Sequence, residues 1–140
     1  TVLYMSPQAL QGAPPRKLDD IWSIGVVMYI LLTRNFLFSG SEDEYRRRVS
    51  ANTLKQYLAA RLDDVTASPE AVDLVRRLLA PEPLDRISAE EALRHPFLHQ
   101  DGRSGEEERV PQTCCSGFPF RMVLATTKAR LEDYFLSHMI

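Results

Sequence analysis

Few side chains in this sequence can do chemistry, and their spacing argues against most of it. Cys114 and Cys115 are adjacent, so they cannot staple distant segments and supply too few ligands for a structural zinc site. Reduced thiols in an intracellular compartment are the expectation. His95 stands in a His-Pro pair, and His99 and His138 have no carboxylates or cysteines at ligand spacing, so no metal site is expected. Gly102 and Gly105 lie in an acidic stretch with no strand before them, which is not the setting of a phosphate-binding loop. Charge remains: the acidic pair Asp19-Asp20 heads an apolar run, and Arg46-Arg47-Arg48 forms a basic triplet. The triplet reads first as a solvated face, with docking of a protein substrate or regulator as the alternative.

The elements that position these charges are read as helices. Asp20 through Leu32 is apolar with no polar face, the pattern of a helix buried on every side, with Asp20 or Asp19 available as its cap. It is expected to run from about Asp20 to Thr33 and to leave through Arg34-Asn35, where Asn tolerates a left-handed conformation. Before it, residues 1 to 18 hold Pro7, Gly12, Pro14 and Pro15 and predict an irregular loop with one helical turn at Gln8 to Gln11. After it come an aromatic turn, Phe36-Leu37-Phe38, and a helix opening at Ser41 or Glu42, acidic first and basic last as the helix dipole favours. Leu54, Tyr57, Leu58 and Leu62 mark a further short helix.

Ser68-Pro69-Glu70 is a helix start, with Val72, Val75, Leu78 and Leu79 as the apolar stripe and Pro81 and Pro83 as the stop. Ser88 and Glu91 have capping-box spacing for a helix that His95-Pro96 ends. Residues 100–117 carry Gly, Ser and Glu106-Glu107-Glu108 and predict a flexible acidic linker. Leu124, Leu131, Tyr134 and Phe135 predict a C-terminal amphipathic helix within 118–140. No segment alternates with period two, so the fold class is mainly α.

Bulk composition fits one globular domain plus a tail: of 140 residues, 44% are hydrophobic and 26% charged, with a net charge of −2. That balance argues against general affinity for nucleic acid or an anionic membrane. The longest apolar run, Ile24 to Leu32, is well short of the roughly 20 residues that span a bilayer. With no signal peptide at Thr1-Val2-Leu3-Tyr4, a soluble cytoplasmic or otherwise intracellular chain is expected. The missing initiator Met hints at truncation or processing.

Three stretches, in this order, resemble the C-terminal lobe of the eukaryotic protein kinases across residues 1–99. Thr1-Val2-Leu3-Tyr4-Met5-Ser6-Pro7-Gln8 is similar to the end of the kinase activation segment. Asp20-Ile21-Trp22-Ser23-Ile24-Gly25-Val26 is similar to the opening of the family's central helix, called αF. Leu79-Ala80-Pro81-Glu82-Pro83-Leu84-Asp85-Arg86-Ile87-Ser88, continuing to His95-Pro96-Phe97, is similar to the turn and helix that close the lobe. Tyr4-Met5 and His95-Pro96-Phe97 resemble the serine/threonine type, and Glu90-Glu91-Ala92-Leu93 the calcium/calmodulin-dependent and calcium-dependent groups. The implied architecture is a partial C-lobe over 1–99, from the end of the activation segment through αF to αI-like helices.

The resemblance assigns roles. Thr1, Val2, Leu3, Tyr4 and Met5 would form the platform that receives the substrate residue after the phosphorylation site. Pro7, Gln8, Asp20, Trp22, Gly25 and Arg86 would be structural motif positions. Asp20 would tether the catalytic loop in an intact kinase and serve as a plain helix cap without one. Arg86 would pair with the last residue of the activation-segment motif, but Gln8 stands there instead of a carboxylate. The lost charge partner would cost on the order of 1–3 kcal/mol and leave the lobe less firmly held. Arg34 and Leu37 replace the family's Gly and Pro after αF, so the loop is expected to be capped through Asn35, and Pro15 replaces a tyrosine before αF.

Phosphoryl transfer depends on positioning by a Gly-rich loop, a strand lysine, magnesium ligands and a catalytic aspartate. The sequence contains no Gly-x-Gly-x-x-Gly, Val-Ala-Ile-Lys, His-Arg-Asp or Asp-Phe-Gly. The expectation is a distal piece of an ATP- and magnesium-dependent serine/threonine kinase, itself without catalytic, cofactor-binding or metal residues. The alternative is a non-catalytic binding module using Arg46, Arg47, Arg48 and the platform. Without its usual cover, αF would expose enough apolar area to make an isolated chain aggregate or turn molten. Arg121, Lys128 and Arg130 are offset by Glu132 and Asp133, so a calmodulin-like partner for the tail is not expected.

Overall fold

A computed structural model describes residues 2–38 and 42–99, apart from the side chain of His99; Thr1, the expected linker over 100–117 and the tail helix lie outside the described residues. Every regular element described is helical, as the sequence predicts. A 3-10 turn over Val2–Tyr4 leads to α1 (Pro7–Leu10), α2 (Lys17–Thr33), α3 (Glu42–Ser50), α4 (Leu54–Asp63), α5 (Pro69–Leu78), α6 (Ala89–Leu93) and α7 (Pro96–His99).

The central helix α2 begins one turn earlier than its apolar run implies. Arg16 is extended, with φ −135° and ψ 151°, and the Asp19 carboxylate accepts its backbone N–H at 2.8 Å. Asp19 therefore does the capping work, and Asp20 lies exposed in the first turn. At the far end Arg34, not Asn35, adopts the left-handed conformation, with φ 58°. Its N–H closes on the Ile30 carbonyl at 2.7 Å, while Asn35 is occupied by Thr33, donating from Nδ2 to the Thr33 carbonyl.

Ile21, Trp22, Ile24, Val26, Met28, Tyr29 and Leu32 of α2 are buried, each worth about 1.5–3 kcal/mol where burial is complete. Burial is not all-round: Val27 and Leu31 are 40% and 39% exposed on one side. On the opposite side α2 crosses α5. Ser68 caps α5 by accepting the Ala71 N–H at 3.3 Å, with Pro69 in the first turn. Its buried stripe is Ala71, Leu74, Val75 and Leu78, with Leu79 beyond its end. Val72, expected in that stripe, is only half-buried, because the face turned to α2 is centred on Leu74 and Leu78.

The remaining helices close around this pair. Tyr45 of α3 stacks on Phe38, with ring centroids 4.1 Å apart, and Phe38 stacks on Tyr57 of α4 at 5.9 Å. The Tyr57 hydroxyl donates to the Leu37 carbonyl at 2.8 Å, so Leu37 is locked inside while Phe36 stays 61% exposed. Ser88 and Glu91 form the expected capping box of α6. The His-Pro pair stops α6 after Leu93 and also starts α7, an element the sequence did not predict. His95 Nδ1 accepts the Phe97 N–H at 3.3 Å, which fixes the proton on Nε2, facing Asp73 Oδ2 at 2.9 Å.

The α2–α5 crossing depends on Gly25. A Cβ built there would stand 2.9 Å from Leu78 Cβ and from Leu79 Cγ, so the two backbones approach closer than any larger residue allows. Gly25→Val is expected to destabilise the chain by about 2 kcal/mol or more through overpacking. Gly25→Ala should cost less, because better helix propensity returns up to about 1 kcal/mol. Urea unfolding followed by far-UV circular dichroism checks this; equal midpoints for parent and Val variant would mean that α5 does not press on α2.

Candidate functional site

The stretch before α1 is a short platform fastened from two directions. Residues Val2–Tyr4 turn in a 3-10 helix, and Val2, Leu3 and Tyr4 pack half-buried against the core. The Tyr4 carbonyl accepts from Ser23 Oγ of α2 at 2.8 Å, and the Met5 carbonyl accepts from Tyr45 Oη of α3 at 2.8 Å. Burial pushes the Tyr45 phenol well above its usual pKa, with Arg86 opposing weakly, so it remains a donor across the ordinary pH range. Beside the platform lies a cleft of about 500 Å3 between Met5, Ala9, Ala13, Pro15 and the first turn of α2, where Lys17, Asp19 and Asp20 face it.

The platform runs into a buried junction built on Arg86. Its side chain is fully enclosed, and four carbonyl oxygens surround the guanidinium. Nη1 donates to the Leu18 carbonyl at 2.7 Å, Nε to Ala80 at 3.0 Å, and Nη2 to Gln8 Oε1 at 3.0 Å and Pro81 at 3.2 Å. Gln8 Nε2 donates in turn to the Pro81 carbonyl at 2.8 Å. Arg86 thus still reaches Gln8, through a hydrogen bond to its amide oxygen. The charge partner is not lost, however: Asp19 Oδ1 stands 4.0 Å from Nη1. Burial lowers the Arg86 pKa from its ordinary value, and the Asp19 carboxylate works against that shift. The guanidinium also lies 5.2 Å from the centre of the fully buried Trp22 ring, within cation–π range.

Asp19 joins everything here. Besides Arg86 and the Arg16 N–H, it accepts a short hydrogen bond from Ser6 Oγ, and Ser6 accepts the Ala9 N–H to cap α1. Sequence reasoning offered Asp20 or Asp19 as the cap without choosing, gave the site role to Asp20, and assigned no role to Ser6, Ser23 or Tyr45. The Ser6-Pro7 pair was the one legible signal among them, a cap followed by a first-turn proline. No described residue hydrogen-bonds the Asp20 side chain, which is exposed on the same outward side of α2 as Val27 and Leu31.

The basic triplet divides. Arg48 is half-buried, paired with Glu44 and stacked 3.9 Å over the Tyr57 ring, so it belongs to the α3–α4 contact and not to a free docking face. Arg46 and Arg47 are exposed, and Arg47 Nε makes one bond, to the Asp43 carbonyl at 3.3 Å. Among the described residues, no group of His, Cys, Asp and Glu side chains could hold a metal ion. No described helix is long and apolar enough to cross a membrane.

Comparison with known proteins adds names to this geometry. The protein kinase domain model matches residues 1–98. Serine/threonine-protein kinase 17A of Oryctolagus cuniculus is 39% identical over 110 residues, 78% of this chain and 27% of that protein. The calcium/calmodulin-dependent protein kinase type II alpha chain of Drosophila melanogaster is 39% identical over 102 residues, 71% of this chain and 18% of that protein. This chain therefore spans about a quarter or less of the length of these curated relatives. A crystal structure of the Rad53 kinase domain and SCD2 in complex with AMPPNP matches with a TM-score of 0.58 at 26% identity, covering 89% of this chain and 47% of that one.

Two outcomes follow from the junction. Asp19→Asn removes the carboxylate 4.0 Å from a buried guanidinium and should cost about 1–3 kcal/mol. Gln8→Glu adds a carboxylate but turns an oxygen toward the Pro81 carbonyl, so it should change stability by less than about 1 kcal/mol. Urea midpoints in the reverse order would show that Asp19 does not carry the charge. The Tyr45 phenol, its folded pKa raised above the ordinary 10.0, contributes stability that is complete below about pH 10 and is lost as pH rises above it. Tyr45→Phe should cost about 0.5–1.5 kcal/mol at neutral pH and flatten that alkaline fall, measured by urea midpoints from pH 8 upward.

Proposed function

The chain belongs to the protein kinase domain family, and from that premise we propose that it is the distal part of a serine/threonine protein kinase, without an ATP site or catalytic loop of its own. The observation that carries this reading is the outward side of α2. Asp20, Val27 and Leu31 lie exposed there on a helix whose other sides are packed, so a carboxylate and an apolar strip stand ready for cover from the same polypeptide. The absence of the phosphate-loop, strand-lysine, His-Arg-Asp and Asp-Phe-Gly motifs from the sequence supports the same reading. An intact parent would transfer the γ-phosphoryl of ATP, with magnesium, to serine or threonine hydroxyls of proteins. ATP and magnesium would be held by residues upstream of those present here.

Within that parent, Thr1 to Met5 would receive the substrate backbone. Ser23 and Tyr45 hold the Tyr4 and Met5 carbonyls at a fixed height, which is the preorganisation that positioning catalysis needs. Asp20 would accept backbone N–H groups of the catalytic loop. Pro7, Gln8, Trp22, Gly25 and Arg86 would hold the platform's base. Arg46 and Arg47 are the members of the triplet free to meet an acidic segment of a substrate or regulator. A non-catalytic binding module is the second reading, favoured by the enclosed Arg86 junction, which holds the platform without any upstream partner.

The size of the native polypeptide separates the two. An antibody raised to residues 42–60 should detect, in the source tissue, a protein several times larger than 16.0 kDa. A lone band near 16.0 kDa would reject the distal-part reading.

A further inference from the structure

Arg47-Arg48-Val49-Ser50 places a hydroxyl after two guanidinium groups. We propose that Ser50 is a phosphorylation site for a separate, arginine-directed serine/threonine kinase, and that its phosphate closes onto Arg46 and Arg47. Kinases that select basic substrates do so with carboxylates that pair with arginines a few residues before the acceptor, a charge-assisted contact. Arg47, three residues before Ser50, is exposed and makes a single backbone bond, so it can be read without disturbing the fold.

Access is equally favourable. Ser50 is the exposed last residue of α3, followed by exposed Ala51, Asn52 and Thr53. The turn there is a left-handed cap: Asn52 has φ 54°, the Thr53 N–H meets the Arg48 carbonyl at 3.1 Å, and the Asn52 N–H meets Val49 at 3.3 Å. Opening a last helical turn of this kind costs little, because helix ends fray. Other described hydroxyls do not compete. Ser88 also follows an arginine, but Arg86 is enclosed and Ser88 is engaged by Glu91 as a cap. Ser6 is buried and bonded to Asp19.

In the transfer, Ser50 Oγ forms its bond to the γ-phosphorus of ATP as the bond to the ADP oxygen breaks, and the hydroxyl proton passes to the kinase's carboxylate base. The product carries about −1.5 to −2 charge at the C-terminal end of a helix, an unfavourable place unless cations meet it. Arg46 and Arg47 lie four and three residues earlier, on the face Ser50 shares. Arg48 points elsewhere, held by Glu44 and Tyr57. Phosphorylation would thus cancel the exposed basic face while leaving the α3–α4 packing intact.

The test uses the full 140-residue chain, ATP and the catalytic subunit of cyclic-AMP-dependent protein kinase, with phosphopeptide mapping. Incorporation at Ser50, absent in Ser50→Ala, is expected. Arg47→Gln should lower kcat/KM for that site about tenfold with unchanged far-UV circular dichroism. Phosphorus NMR should give the Ser50 phosphate a titration midpoint that rises in Arg46→Gln, which reports the closing contact. No incorporation at Ser50, or an Arg47→Gln rate equal to the parent's, would overturn the assignment.

Discussion

The buried guanidinium of Arg86 is the constraint on which the other parts depend. A charge taken out of water is tolerated only if its donors are satisfied and a counter-charge is near. Here the donors reach carbonyls from three separate places: Gln8 in α1, Leu18 in α2, and Ala80 and Pro81 in the turn after α5. Each of those segments must be in position for Arg86 to be buried at all. The junction therefore ties α1 and the first turn of α2 to the turn that follows α5, and it sets where the platform ahead of α1 sits.

The helix α2 turns that coupling into an architecture with two unlike sides. One side meets α5 with no room for a side chain at Gly25, so the crossing is fixed by backbone approach. The other side keeps Asp20, Val27 and Leu31 in solvent. A helix so strongly apolar is ordinarily enclosed, and α5 and the 3-10 turn over Val2–Tyr4 pack against its other sides. The molecule is thus well packed around its centre and unfinished along one line.

Sequence patterns exposed the helices and the junction's main member, and they failed where tertiary contacts decide. Ser68-Pro69 and Ser88 with Glu91 are local signals, and both helix starts appear where predicted because capping is local chemistry. The choice of Asp19 over Asp20 was not legible, since two adjacent acids are equivalent until the direction of Ser6 and Arg86 is known. Arg48 was grouped with Arg46 and Arg47 because the triplet gives no hint that Tyr57, nine residues later, would take one guanidinium onto its ring face. Val72 was placed in the α5 stripe on period alone, whereas the close approach at Gly25 turns Leu78 and Leu79 toward α2 and Val72 is left half-buried.

The exchange of a carboxylate for Gln8 changes what the junction connects more than how strong it is. In the family pattern that this chain resembles, the ion pair itself ties the end of the activation segment to the closing turn. Here the counter-charge comes from Asp19, on the first turn of α2, and α1 is held by two hydrogen bonds with one charged partner each, Arg86 to the Gln8 amide oxygen and Ser6 to the Asp19 carboxylate, and by a neutral one from Gln8 to the Pro81 carbonyl. Hydrogen bonds with one ionised partner are worth roughly twice neutral ones. The segment leading from the platform is therefore tied to the same two charges that bind the central helix to the closing turn. A change at either Arg86 or Asp19 thus loosens α1 together with α2 and the closing turn, because all three share that one pair of charges.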